Sequence, residues 1–111
     1  MPEAKIAITR DGDLGVIKIV GVGTFQQAVV FKNGYTQLIA GGVSVFVIDL
    51  SECEQLDSTF LGTILGLGLK VRQLGTGQVH VIGANEMIRK LFRGTGLDQI
   101  FDMSRPDRES G

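Results

Sequence analysis

The chain has 111 residues, which sets one domain as the expectation and allows a real apolar core without staples. Hydrophobic residues make up 43% and charged residues 21%, too apolar for a disordered chain. The net charge of −1 points to neither nucleic acid nor an anionic membrane surface, and a single cysteine, Cys53, excludes an internal disulfide and a cysteine metal cluster.

Met1-Pro2-Glu3-Ala4-Lys5 lacks the apolar core of a signal peptide. The most apolar window, Phe60 to Leu69, is about ten residues long and far short of a membrane span. A lone cysteine fits a reducing compartment, so the expected setting is the cytoplasm, with no membrane contact.

Two short β-rich runs come first, Ile6 to Thr9 and Val16 to Val20. The turn-rich stretch Asp11 to Gly15 between them reads as a hairpin connection. Gly21-Val22-Gly23-Thr24 is expected to break the second strand, and Thr24 to cap a helix. That helix spans about Phe25 to Ala40, with Phe25, Ala28, Val29, Tyr35, Leu38 and Ile39 near helical spacing. Gly34 in its middle costs about 1 kcal/mol relative to alanine.

Val43 to Leu50 is a nearly continuous β-branched and apolar run, as expected for a strand covered on both faces. Ser51 to Leu56 reads as a loop leading to Asp57-Ser58. Beyond Ser58, at about 100° per residue, Phe60, Ile64, Leu67, Val71 and Leu74 fall on one helical stripe. Leu61, Leu65 and Gly68 flank it; Thr63, Lys70 and Gln73 face water. Gly75 is the expected C-cap. Gln78 to Ile82 is another short strand. Asn85 caps a last helix with an apolar side of Met87, Ile88, Leu91 and Phe92, ended by Gly94-Thr95-Gly96. Leu97 to Phe101 adds a final strand or turn, and the polar tail 104–111 frays.

The order is β-β-α-β-α-β-α-β. It predicts an α/β fold in one domain over 1–111: a mixed, mostly parallel sheet of about four to five strands with helices packed on it.

Catalytic chemistry finds little support. His80 sits inside an apolar strand pattern, where a packed or edge-strand histidine outweighs a proton-transfer role. Cys53 lies between Glu52 and Glu54, anions that raise a thiol's pKa and favour an inert cysteine. Asp49, Glu52, Glu54 and Asp57 lack the ordered spacing of a calcium loop, so a solvated acidic stretch is expected and no metal. Gly21-Val22-Gly23-Thr24-Phe25-Gln26 has the outline of a dinucleotide loop. Gln26 stands at its third glycine position and no acidic residue follows at the required distance, so a tight turn explains the glycines better than a nucleotide does. The expectation is a binding module without cofactor, and no enzyme.

Gly62, Gly66 and Gly68 together cost a helix roughly 2–3 kcal/mol against alanine. Close approach by a partner or tight packing on the sheet would offset this; packing suits Gly68 best, and both remain open for Gly62 and Gly66. Ser58 or Asp57 is expected to cap the helix that follows, a contribution of roughly 1 kcal/mol. A hydroxyl there also accepts a phosphate without breaking the fold, because a helix N-terminus tolerates negative charge.

The strand Val45-Phe46-Val47-Ile48-Asp49-Leu50, then Leu56-Asp57-Ser58-Thr59, Leu61-Gly62 and Ile64-Leu65-Gly66, resembles the STAS-domain family of anti-sigma-factor antagonists. Ile88-Arg89-Lys90-Leu91-Phe92, Thr95-Gly96-Leu97 and Ile100-Phe101 extend the resemblance, which covers about Ile6 to Phe101. The resemblance implies a bacterial partner-switching module. Its partners would be an anti-sigma factor that is also a serine kinase, and a phosphatase that reverses the modification. Ser58 would be the phosphoacceptor, with Thr59 as a substitute hydroxyl, and Asp57 the neighbour that assists transfer. Gly23, Thr24, Thr59, Phe60, Gly62, Gly66 and Leu69 would meet the partner, the chain itself being a monomer or weak dimer. Phe60 stands where antagonists usually carry glycine, and its ring either fills the core or reshapes the docking surface. The alternative is a constitutive scaffold or dimerisation domain of the same fold, with Ser58 only a cap and Gly62, Gly66 and Leu69 in a permanent contact.

Overall fold

The computed structural model describes residues 5–75 and 77–103; the tail expected to fray lies outside them. Four strands form one sheet in the order β1-β2-β3-β4. β1 (Lys5–Asp11) and β2 (Leu14–Gly23) are antiparallel, joined by a two-residue turn with Gly12 at φ 62°. β2 pairs in parallel with β3 (Val45–Leu56), and β3 in parallel with β4 (Gln78–Ile82). The helices are α1 (Phe25–Ala40), α2 (Ser58–Leu74) and α3 (Glu86–Thr95). The expected mixed, mostly parallel sheet is therefore present with four strands among the described residues.

The fifth strand is replaced by less. Leu97–Gln99 is a 3-10 helix, and among the described residues after it only Asp102 reaches the sheet, its backbone bonding to Val79 and Val81 at the edge of β4.

β2 and β3 both outrun their predicted ends. β2 continues through Gly21 to Gly23, and Ser51 to Leu56 is strand rather than loop. The pairing slips between Lys18 and Val20 and again between Gly21 and Val22, with the extra residue each time on β3. Such bulges let pairing continue while abandoning strict alternation. Along β3 the buried residues are Phe46, Ile48 and Leu50, two apart, then Cys53 and Leu56, three apart. The period-2 signal is lost at the first bulge, although the strand is not.

One face of the sheet is buried, by Ile17, Ile19, Phe46, Ile48, Val79 and Val81. The other face, with Val16, Lys18, Val45, Val47 and His80, is only half-buried. The expectation that β3 is covered on both faces is thus corrected. Its apolar outer residues reflect β-branched preference and packing against cross-strand neighbours.

α1 is unbroken, but its apolar pattern divides differently from the prediction. Ala28, Phe31, Tyr35 and Leu38 face the core, whereas Phe25 and Val29 are exposed. Gly34 lets α1 settle onto Ile8 of β1, which accounts for a glycine in mid-helix. α2 buries Phe60, Leu61, Ile64, Leu67, Gly68 and Val71, and ends at Gly75 in the left-handed conformation (φ 79°); Leu74 is exposed instead of joining the stripe. In α3, Ile88 and Phe92 are buried, Leu91 is partly so, and Met87 points to solvent.

The α2 glycines have separate uses. A Cβ built at Gly68 would lie 2.7 Å from Phe101 Cε1 and 3.1 Å from Ile100 Cγ2, so it is the segment after α3, and not the sheet as expected, that seats against bare backbone there. Gly66 faces the Tyr35 hydroxyl of α1, and Gly62 faces open space. Gly68→Ala should therefore destabilise the fold by about 1–3 kcal/mol through overpacking. Gly62→Ala should stabilise it by up to about 1 kcal/mol through helix propensity. Urea unfolding of the two variants checks both; equal effects would contradict this division of labour.

Candidate functional site

A parallel strand needs a crossover to reach its neighbour, so α1 and α2 both begin at the edge where β2 and β3 end. Gly23 and Leu56 are register partners at that edge. The next residues, Thr24 and Asp57, are the N-cap positions of α1 and α2. Asp57 N donates to Gly23 O at 2.9 Å, which ties the two junctions together.

The Asp57 carboxylate carries this link further. Its Oδ1 accepts from Phe60 N at 2.8 Å, the ordinary N-cap bond of α2. Its Oδ2 accepts from Phe25 N, also at 2.8 Å, at the first residue of α1. Thr24 makes no side-chain cap of its own. One carboxylate thus serves two helices, one in its own chain segment and one across the strand pair. Asp57, not Ser58, is the cap of α2, and Thr24 is not the side-chain cap of α1. Composition alone hides the bond to Phe25, because the two residues are 32 positions apart.

Asn85 repeats the design at β4. Its Oδ1 accepts from Ile88 N at 2.8 Å, capping α3, while its Nδ2 donates to Glu54 O at 3.1 Å on β3. Both junctions are held by a side chain that caps its own helix and grips a neighbouring element.

Ser58 is the first residue of α2 and is exposed. Thr59, also exposed, follows it, and its carbonyl accepts from the Thr63 hydroxyl at 3.0 Å. Neither α1 nor α2 has an acidic residue in its first turn, so Asp57 is the one carboxylate at these two N-termini. The partial positive ends of both helices meet at the Asp57 carboxylate, one residue before Ser58.

Two residues expected at a docking surface are interior. Phe60 is fully buried, with its ring centroid 5.3 Å from that of Phe31. Of the two possibilities for its bulk, the ring fills the core. Gly23 is also buried; a Cβ there would lie 2.7 Å from Leu56 Cδ2 and 3.1 Å from Phe60 Cδ2. The glycine makes room for the ring beneath it. Thr24 and Gly66 are half-buried, and Gly62 and Leu69 are exposed on α2. Phe25, whose spacing fits the helical pattern of α1, is 60% exposed, with its N–H on Asp57.

The other candidates have structural employment. His80 Nδ1 lies 3.0 Å from Asp102 Oδ2, and its Nε2 lies 2.9 Å from Gln78 Oε1. Glu52 pairs with Lys18, which raises the Lys18 pKa, and Asp49 accepts from Ser51 N. Among the described residues, no three His, Cys, Asp or Glu side chains come together as a metal site. Gly21 and Gly23, the outline of a nucleotide loop, belong to β2. No helix of the described residues is long and apolar enough to cross a membrane.

Cys53 lies in β3, not in a loop, and is buried. Burial pushes its pKa up, with a smaller contribution from Glu54.

The model for the Mlab-type STAS domain matches residues 6–103, and the chain belongs to the STAS domain family. Solved structures agree on the fold. An anti-sigma factor antagonist from Mycobacterium paratuberculosis is 21% identical with a TM-score of 0.78, covering 96% of this chain and 88% of that one. The anti-sigma factor antagonist SpoIIAA in its unphosphorylated form is 16% identical with a TM-score of 0.79, over 90% of this chain and 89% of that one. The phosphorylated form of the Bacillus cell fate determinant SpoIIAA is 17% identical with a TM-score of 0.72, over 90% and 92%. No curated protein sequence matches.

The raised Cys53 pKa has a sign that can be measured. The folded chain keeps the thiol proton at a pH where the unfolded chain, near the ordinary value of 9.0, has begun to lose it. Stability should hold below about pH 9 and fall as pH rises beyond it. Tyr35, raised by burial from 10.0, acts in the same direction. Urea midpoints should be lower at pH 10 than at pH 7, with a smaller difference in Cys53→Ala; a flat profile would contradict the burial argument.

Proposed function

We propose that this chain is a regulatory protein-binding module of the anti-sigma-factor-antagonist kind, switched by reversible phosphorylation of Ser58. The observation that carries the proposal is an exposed serine at the mouth of a doubly secured helix, in a chain of the STAS family. Its partner is an anti-sigma factor that is also an ATP-dependent serine kinase, and a phosphatase restores the hydroxyl. Binding releases a sigma factor, so the output is transcription in a bacterial cytoplasm. The chain acts by binding and not by catalysis.

The electrostatics suit such a switch. Phosphorylation adds a charge of about −1.5 to −2 beside Asp57. Two helix N-termini offset part of it, so the scaffold tolerates the phosphate. A partner surface closed over Ser58 does not: a buried, unpaired charge costs several kcal/mol, and each 1.4 kcal/mol is about tenfold in affinity. Asp57 assists by holding residue 58 at the helix mouth. Ser58, Thr59 and Gly62 form the contact nearest the switch, and Thr24, Gly66 and Leu69 its margin.

A constitutive dimer or scaffold of the same fold is the second reading. Gly62 faces open space and Leu69 is 49% exposed on the same helix, which suits a permanent contact. A size-exclusion mass that stays dimeric on dilution and ignores the state of Ser58 would favour it.

Incubation with the cognate kinase and ATP should label Ser58. Ser58→Ala should lose the label yet bind the kinase, and Ser58→Asp should bind about a hundredfold more weakly. Label that persists in Ser58→Ala removes the site assignment.

A further inference from the structure

β1 is the edge of the sheet that the described residues leave open: the strand order is β1-β2-β3-β4, and Asp102 already bonds to β4 at the other edge. A strand of seven residues at such an edge is a template for a further strand. Which of its backbone groups point outward follows from the ladder. Val45 N donates to Asp13 O, so Asp13 faces β3 and the next residue, Leu14, faces β1. Leu14 pairs with Asp11 across the turn. Asp11, Thr9, Ala7 and Lys5 therefore direct their backbone groups to β2, and Ile6, Ile8 and Arg10 turn theirs to the open side.

The charges add a second constraint. Lys5 begins the strand and Asp11 closes it, and both are exposed. At about 3.4 Å per residue they lie roughly 20 Å apart, too far to meet within one chain. Among the described residues neither makes an ion pair.

We infer that β1 is a self-pairing edge: a second copy of this chain adds its own β1 in antiparallel, about a two-fold axis through Ile8. In that register Lys5 faces Asp11 of the second copy and Asp11 faces its Lys5. Ile6 meets Arg10, Ala7 meets Thr9, and Ile8 meets its own counterpart. Two independent features select this occupant. Opposite charges stand across the seam at both ends, whereas a parallel copy would set lysine on lysine and aspartate on aspartate. The residues whose backbone groups face outward, Ile6, Ile8 and Arg10, are also the ones that meet one another, so hydrogen bonds form at all three pairs. A slip of one residue sets outward groups against inward ones; a slip of two keeps the bonding but parts Lys5 from Asp11. Ile8, 38% exposed against Gly34 of α1, is covered at the axis. The contact is isologous, the same patch on both copies. The β2 strands of the two copies then run antiparallel, so the two Ser58 helix mouths lie at opposite ends of the joined sheet. The pair does not use Ser58, and it is distinct from a contact through Gly62 and Leu69.

Such a short edge makes a small interface, so the pair should be weak and reversible. Sedimentation equilibrium of the full chain from about 10 μM to about 1 mM should show a monomer–dimer equilibrium that Ser58→Asp leaves unchanged. A chain that stays monomeric throughout overturns the inference. Lys5→Glu and Asp11→Lys each set like charges together at both ends of the seam, and each should weaken pairing about tenfold or more. Mixed in equal amounts, the two variants should pair with each other about as well as the unsubstituted chain pairs with itself, because the carboxylates of one then face the lysines of the other. Weakening without recovery on mixing overturns the register. A dimer that ignores both charge variants and is lost in Leu69→Asp puts the contact on α2 and overturns the edge. Amide hydrogen exchange read by NMR gives a readout that needs no variant. Protection at Ile6, Ile8 and Arg10 should rise with concentration, while Ala7 and Thr9, already bonded to β2, change little. A dimer with no such rise overturns the strand pairing.

Discussion

Parallel strands cannot be joined by a turn; the chain must cross over the sheet and return to its starting edge. β2, β3 and β4 are parallel, so α1 and α2 fill the crossovers and both begin at one end of the sheet. That constraint makes the junctions after Gly23 and Leu56 neighbours, although they are distant in sequence. It also sets two helix N-termini side by side, each with unsatisfied N–H groups. The Asp57 carboxylate answers both at once. A site here is a consequence of topology before it is a matter of particular residues: clefts at the carboxyl ends of parallel strands are where α/β sheets bind what they bind.

A carboxylate and an added phosphate would share the same few donors. Backbone N–H groups at a helix mouth do not move away from a new charge, and the caps hold them in place. Such a mouth can change its charge state with little cost to the fold, which leaves most of the electrostatic penalty to any surface pressed against it. Under the proposed switch, this division between a tolerant scaffold and an intolerant interface would let a single hydroxyl govern binding. The core beneath the helix mouth is tightly filled. Phe60 packs on Phe31 and beneath Gly23, so the helix mouth rests on a rigid floor.

Much of this was legible from residue types. Helical spacing located α1, α2 and α3, and the helix that follows an Asx residue was correctly given its cap at Asn85. Asp57-Ser58 was recognisable as a junction because short polar side chains compete for the first amides of a helix. What failed did so for physical reasons. Ser51 to Leu56 looked like a loop because two bulges change the burial period from two to three along one strand. Phe25 and Val29 looked like core because periodicity shows which residues share a face, not which face meets the sheet. Phe31, truly central, was passed over beside them. Likeness to other proteins points Gly23 to a surface, whereas local volume places it inside; Phe60, on the core stripe by helical spacing and a docking candidate by likeness, follows its spacing. The bond from Asp57 to Phe25 N had no local signal, since only the parallel register of β2 and β3 brings the partners within reach.

The far border of the sheet is partly closed by the chain's own backbone. β4 would present unpaired N–H and C=O groups, and such a border invites a foreign strand to add on and then another. Asp102 occupies it instead: its carbonyl takes the N–H of Val81 and its N–H reaches the carbonyl of Val79. A single residue of passing backbone, held also through His80, is enough to spoil the template. Along that border the described residues thereby close the route to open-ended polymerisation without adding a fifth strand.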